Sequence, residues 1–375
     1  MSDQLQIRAI HSSKEMMDFI KFPWKIYAND PSWVPPLIMD RKKFLDREKN
    51  PFFKDNPSEF YLAYRNGEIV GRIAAIINHQ HNQFHNDKTG FFGFLEAVND
   101  KSVFEALLNT AKAWLKERGC DRMMGPMNPS TNDECGFLID GFDIPPYFMM
   151  THNLPYYVEI METLGYQKAQ DLYAYYIDQG IVKLGDRLQR IADKIRKDFP
   201  VQIRSANMKN FRKELELIRS IYNDAWSRNW GFVPMTPAEF DYVANDFKKI
   251  IDPELVLIGE YKGEAVGFLL AMPDYNRIFK KIPSGRLLPF GLFTFLFNKN
   301  KIDSIRVITL GVKKKYLPLG LGALFYIEIV QRAMKLGYYS AEMSWVLEDN
   351  EPMNKGARLL GGKIHKTYRV YETAL

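Results

Sequence analysis

Ile305-Arg306-Val307-Ile308-Thr309-Leu310-Gly311-Val312 runs into Lys313-Lys314-Lys315-Tyr316-Leu317-Pro318-Leu319-Gly320-Leu321-Gly322-Ala323, and an amphipathic stretch then continues to Lys335. The first eight residues have the length and the β-branched, aliphatic content of a buried strand. Glycines at the entry of the following helix let a ligand approach the backbone closely. The free N–H groups of the helix start offer positive partial charge to a phosphate. Lys313, Lys314 and Lys315 add to that field. The same pattern also serves as a plain tight turn before a helix, so the surrounding order of elements has to decide between the two.

That order is supplied by a repeat. Gln6-Ile7-Arg8 returns as Gln202-Ile203-Arg204, Gly67-Glu68 and Val70-Gly71 return as Gly263-Glu264 and Val266-Gly267, and Leu164-Gly165 returns as Leu360-Gly361, each 196 residues later. One block departs from this spacing: the helix ending at Gly119 matches the helix ending at Gly337, 218 residues on. The second copy therefore carries extra chain before that helix, at Lys280 to Lys299. The first carries extra chain after it, within Ser130 to Tyr157. Each copy reads as a short strand, an amphipathic helix, two strands joined by a tight turn (Asn66-Gly67 or Lys262-Gly263), a strand into a long helix, a strand, a short helix and a Tyr-rich last strand. Gly119 and Gly337 stand where a helix-terminating glycine belongs. The fold class expected is α/β with a mixed sheet, built twice. The expected domains are 1–180, a linker helix at 181–199, and 200–375.

On these motifs the chain resembles a tandem member of the GCN5-related N-acetyltransferase (GNAT) superfamily. In that family the glycine loop binds the pyrophosphate of acyl-coenzyme A and the preceding strand pairs with its pantetheine. The resemblance implies acyl-coenzyme A as co-substrate, held by Leu310, Gly311 and Val312 at the strand end and by Leu317, Leu319, Gly320, Leu321, Gly322 and Ala323 in the loop. Leu317 replaces the family's usual Gln or Arg. Glu348-Asp349-Asn350 through Leu360-Gly361 resembles the family's second motif, with Asn350 at its Asn, but Ala357 stands where a general-acid Tyr is usual. Tyr368, Tyr316 or Tyr326 could substitute. The first copy has Asn99-Asp100-Lys101-Ser102 in place of a glycine loop, so a single coenzyme site is expected, in the second copy.

Acyl transfer to an amine needs a base and a stabiliser of the oxyanion. Glu342, Ser344, Val346 and Glu348 alternate onto one strand face. Glu348 beside Asn350 is the first choice of base and Glu342 the second; solvated or salt-bridged carboxylates are the alternative. Asn128, Asn132, Asp133 and Glu134 could orient the acceptor, or could simply cap their own loop. Trp24 to Leu37 and Asn50-Pro51-Phe52-Phe53 resemble a subgroup of bacterial double-GNAT proteins that includes ceramide-forming acyltransferases, which would make this aromatic segment the lining of an acceptor groove.

Arg286 to Phe297 is almost wholly apolar and flanked by Lys280, Lys281, Lys299 and Lys301. A bilayer crossing needs about 20 residues, so the segment is too short to span. It could cap a long acyl chain, touch a membrane interface, or be a buried strut. His79, His81 and His85 are not expected to hold a metal, because no carboxylate completes a set at typical spacing.

The 375 residues, 46% apolar and 26% charged, exclude a disordered or fibrous chain. A net charge of +6 is too diffuse to point to nucleic acid. Two unpatterned cysteines and a start without a basic, then apolar, run suggest the cytoplasm, with peripheral attachment at the inner membrane face as an option. The function expected is acyl transfer from acyl-coenzyme A to an amine, with a long-chain, sphingoid lipid amine as one candidate acceptor. The alternatives are acetyl transfer to a small polar amine and an inactive pair serving as a membrane-associated scaffold.

Overall fold

A computed structural model describes residues 4–178 and 186–375. The chain forms two compact units. One contains Met1–Asp171, Asn276–Asn298 and Thr367–Leu375; the other contains Leu172–Tyr275 and Lys299–Lys366.

In the first unit, β1 (Gln6–Ala9) leads to α1 (Ser13–Lys21), whose start is fixed by a reciprocal pair: Ser12 accepts from the Glu15 amide, and Glu15 reaches back to the Ser12 amide. β2 (Ser58–Arg65) and β3 (Glu68–Ile77) form a hairpin, and β4 (Thr89–Ala97) lies antiparallel to β3. Asn66 and Gly67 both have positive φ, 52° and 83°, as a two-residue hairpin turn matching the strand twist requires. α2 (Lys101–Lys116) covers the sheet with Val103, Phe104, Leu107, Leu108, Ala111 and Leu115, all buried. Their three- and four-residue spacing makes one apolar face, and each large side chain contributes about 1.5–3 kcal/mol on burial. β5 (Arg122–Gly125) is parallel to β4, pairing Thr89 with Arg122, and antiparallel to Tyr371–Ala374 at the end of the chain.

The first copy closes with β6 (Phe137–Asp140) and β7 (Gln167–Asp178). In the second unit, α3 (Asp186–Asp198) precedes β8 (Gln202–Ser205) and α4 (Phe211–Trp226). β9 (Val256–Tyr261) and β10 (Glu264–Pro273) form the second hairpin, with Lys262 and Gly263 at φ 50° and 79°. β11 (Ser304–Val312) is antiparallel to β10, α5 (Gly322–Lys335) follows, and β12 (Ser340–Leu347) returns parallel to β11. α6 (Glu351–Leu359) and β13 (Lys363–Ala374) complete the chain. Gly119 and Gly337, at φ 81° and 86°, end α2 and α5 as expected.

Two features depart from domains at 1–180 and 200–375. The strand closing each copy serves the other unit's sheet: Leu172–Asp178 of β7 lies antiparallel to β12, and Tyr371–Ala374 of β13 lies against β5. The insertion Asn276–Asn298, from the second copy, belongs to the first unit. Strand patterning specifies which face is buried but not which neighbour is paired. Of the expected linker, Asp186–Asp198 is helical, and 181–185 lies outside the described residues. No helix among the described residues is long and apolar enough to cross a membrane.

Candidate functional site

The glycine loop of the second unit opens the start of α5. Gly320 adopts φ +69°, a left-handed conformation that a side chain would strain. A Cβ built there meets only Ile195 Cδ1, at 3.5 Å, and a Cβ at Gly322 meets nothing within 4 Å. The protein itself therefore does not fill the space over Gly322; a closely approaching ligand can. The lysines contribute less than their sequence position suggests. Lys313 pairs with Glu264 at 2.9 Å, Lys314 donates to Ser227, and Lys315 lies over the Tyr316 ring. Leu317 is exposed, so the polar contact usual at this position is absent, and the backbone amides of the helix start supply the anion field.

Upstream of the loop, β11 parts from β12. Their parallel pairing runs from Ser304–Ser340 to Val307–Met343. On the other edge, Leu270 faces Thr309 while Ala271 faces Val307, so Ile308 is an extra, bulged residue. Beyond it, the β11 edge that faced β12 is left without a strand partner among the described residues. Thr309 lies in this splay, and its buried Oγ1 has no hydrogen-bond partner. A buried hydroxyl left unpaired costs about 1–3 kcal/mol, which a ligand atom would recover. Leu310 and Val312 point into the core, so only their backbone faces the splay. Gly311 owes its identity to packing, since a Cβ there would strike the Trp226 ring at 2.1 Å.

Below the splay, β11 and β12 carry a buried polar chain. Arg306 donates through Nε to Ser344 Oγ at 2.9 Å and through Nη2 to the Ser344 carbonyl at 3.1 Å. Ser344 Oγ donates to Glu342 Oε1 at 2.6 Å, and Glu342 Oε2 lies 2.7 Å from His365 Nε2. Glu342 is fully buried and the His365 side chain is 12% exposed. A carboxylate held this way fixes the orientation and tautomer of the imidazole. Charge in a dry interior persists only when paired, and Arg306, Ser344 and His365 provide that pairing.

Of the other expected catalytic residues, Glu348 sits just beyond β12 and is partly exposed. Asn350 caps α6, accepting from the Met353 amide at 3.3 Å. Asn354, not singled out in the sequence, fixes this turn: its Nδ2 donates to the carbonyls of Leu347, Glu348 and Asn350, while its Oδ1 accepts from Tyr175. Tyr368 is fully buried and belongs to the first unit, not to the unit holding the other candidates. Tyr316 donates to Glu264 at 2.6 Å, and Tyr326, its hydroxyl held protonated by burial, contacts Met353 Sδ at 3.3 Å.

The first unit fills the equivalent places with its own side chains. At the start of α2, Asp100 accepts from the Ser102 amide at 2.8 Å and pairs with Arg65 at 2.7 Å. Hydrogen bonding to Ser102 and Arg65 draws its carboxyl down to about 2. The expected acceptor residues are engaged within their loop and its neighbours. Asn128 Oδ1 accepts from the bulged Phe94 amide at 2.6 Å, Asn132 and Asp133 bond Ser130, and Glu134 pairs with Arg41. A second polar centre surrounds Glu96, which accepts from Tyr27 and Tyr157, both at 2.6 Å, with Arg72 at 3.6 Å. Burial raises the Glu96 carboxyl above its ordinary range.

The aromatic segment packs on itself and on the insertion. Trp24 and Trp33 meet edge to face at 5.2 Å, Tyr27 stacks on Trp33, and Trp24 Nε1 donates to the Pro283 carbonyl. His81 is buried beside Asp87, and burial lowers its imidazole to about 4. Among the described residues no group of three or more His, Cys, Asp or Glu is arranged to hold a metal ion.

Comparison with known proteins adds four likenesses to this geometry. The profile of the Acetyltransferase (GNAT) family matches residues 24–135, which lie in the first copy. The chain is 39% identical to the "Bacterial ceramide synthase" of Caulobacter vibrioides, covering 99% of this chain and 98% of that protein. It is 35% identical to "Protein YghO" of Escherichia coli, covering 98% and 94% respectively. A tandem GNAT protein from the clavulanic acid biosynthesis pathway superposes with a TM-score of 0.57 over 99% of this chain and 98% of its own, at 11% identity.

Proposed function

The chain belongs to the GNAT acyltransferase family, and from that premise we propose that its second unit transfers an acyl group from coenzyme A to a long-chain, sphingoid-type amine. The observation carrying the reading is the open start of α5, where glycines leave room that the matching helix in the first unit fills with Asp100. The name of the Caulobacter relative supports a lipid amine as acceptor. Such an amine resides in a lipid surface, and the exposed segment 287–297 is suited to meet it there.

In this reading the amides at the start of α5 hold the pyrophosphate, and the parted edge of β11 takes the pantetheine. The Thr309 hydroxyl bonds a polar atom of the donor. An amine acceptor arrives as an ammonium and must lose a proton before nitrogen can attack the thioester carbonyl. His365 takes that proton. Glu342 holds the imidazole in position and stabilises the imidazolium, while Ser344 and Arg306 keep the carboxylate fixed. Collapse of the tetrahedral adduct breaks the C–S bond; the extra proton on the attacking nitrogen is lost as the neutral amide forms, and the departing thiolate gains one proton to leave as the free thiol. His365 and Glu342 thus replace Glu348 as the leading base; Asn350 serves as a cap.

The test supplies palmitoyl- or acetyl-coenzyme A with sphinganine or a short polar amine, reading thiol release and the amide product by mass spectrometry. The expected product is the N-palmitoyl long-chain amide. Preference for acetyl transfer to the polar amine would establish the short-chain alternative. Loss of both products, with coenzyme binding intact, would establish an inactive binding pair.

A further inference from the structure

From Tyr275 to Ile302 the chain contains no acidic residue and six cations: Arg277, Lys280, Lys281, Arg286, Lys299 and Lys301. Within this stretch, Leu287 to Asn298 forms two consecutive helical segments in which five large apolar side chains face solvent. Phe290 is 79% exposed, Phe297 72%, Leu288 65%, Phe293 56% and Leu296 49%. Phe290, Phe293 and Phe297 follow three- and four-residue spacing, so they share one helix face, while Gly291 turns inward against Arg286 and Ile282. A lone exposed Leu is ordinary; five large apolar side chains on one short segment are not.

The base of the segment is firmly held. Trp24 Nε1 donates to the Pro283 carbonyl at 2.8 Å, and the Ile38 amide donates to the Gly285 carbonyl at 2.9 Å. Asn276 Nδ2 donates to the carbonyls of Pro146 and Tyr147 at 2.9 and 3.0 Å. Phe279 packs on Phe148 and stacks on Phe295. All these contacts lie within the first unit. A fixed base under an exposed apolar tip is a wedge, and burial of that tip repays the cost of exposing it to water.

We propose that this wedge docks the protein on an anionic lipid bilayer, with Leu288, Phe290, Phe293, Leu296 and Phe297 entering the interface and the flanking cations resting among the headgroups. The segment is too short to span, so the attachment is peripheral. Its charge selects the occupant: cations flank the apolar stretch on both sides with no acid between, which matches a negative lipid surface. Attachment needs neither coenzyme nor catalysis, so it goes beyond the acyltransferase reading and can fail independently of it.

The test is co-sedimentation of the full-length protein, without any acyl-coenzyme A, with phosphatidylcholine vesicles and with vesicles containing about one-third phosphatidylglycerol. Light scattering without lipid runs alongside. Wild type is expected to bind the anionic vesicles at least about tenfold more tightly than the neutral ones. The triple variant Phe290→Ser, Phe293→Ser, Phe297→Ser is expected to lose at least about tenfold on both, with its melting temperature preserved because these side chains are exposed. Lys280→Glu with Lys281→Glu is expected to lose the anionic preference. Wild type that remains unbound to both vesicles, or a triple variant that binds as wild type does, overturns the proposal. A lipid-free dimer that the triple variant converts to monomer also overturns it, by assigning the face to a second copy.

Discussion

The two long helices that follow the central strands of each unit begin in opposite ways. Before both, a bulged strand is paired parallel to the strand that returns after the helix, and both helices end on a glycine at left-handed φ. At α2 one of the first free amides, that of Ser102, is taken by Asp100, whose negative charge would repel a phosphate. At α5 the same place is left open by Gly320 and Gly322. Likeness of fold therefore does not imply likeness of site. The profile match makes the same point, since it falls on residues 24–135, in the copy whose helix start is closed.

The comparison extends to the buried acids. Glu96 is surrounded by two tyrosine hydroxyls and an arginine, and burial holds its carboxyl above the ordinary range. Glu342 instead touches a histidine that can exchange a proton. If His365 is the base, His365→Ala and Glu342→Gln should each lower kcat by about 10²–10⁴-fold with little change in KM for the acyl donor. An unaltered kcat would place the second unit's acid in the same structural class as Glu96.

Closing α5 in the way α2 is closed is the next largest change. Gly322→Asp adds a carboxylate where there is room for one, and should weaken coenzyme binding by about a hundredfold while leaving the fold intact. The smallest effect is the reverse manipulation. Asp100→Ala removes a helix cap and should cost about 1 kcal/mol in chemical denaturation, with no gain or loss of coenzyme affinity. Its pH dependence has a definite sign. The folded carboxyl, drawn to about 2, lies below its unfolded value, so its stabilisation is complete above about pH 4 and fades as pH falls toward 2. Wild type and variant should thus converge in stability in acid; a gap that persists at low pH would mean the cap acts without its charge.

Much of this contrast was legible in the sequence. The 196-residue repeat places both hairpin turns, and Asn66-Gly67 and Lys262-Gly263 adopt the positive φ values such turns demand. The glycine loop and its absence before α2 were also visible. The exchange of β7 and β13 between units was not, because alternation encodes faces and leaves the neighbour open. The catalytic candidates were half legible. Strand alternation singles out Glu342, and Arg306, a single charge within an apolar strand, is a signal of the same kind in the sequence. His365 lies 23 residues from its partner and meets it only through strand packing. The amide oxygen of Asn128, one of the polar residues expected to orient an acceptor, serves the bulge at Phe94. Composition alone leaves the apolar insertion open among acyl cap, membrane contact and strut; in the structure Phe290, Phe293 and Phe297 face outward.

The most direct measurement is isothermal titration of coenzyme A into the wild-type protein, Gly322→Asp and Asp100→Ala. The account predicts one site per chain in wild type, the same site with unchanged affinity in Asp100→Ala, and loss of binding by about a hundredfold in Gly322→Asp. Binding that survives in Gly322→Asp, or a second site that appears when Asp100 is removed, would contradict the claim that the start of α5 is what makes this chain a coenzyme-binding protein.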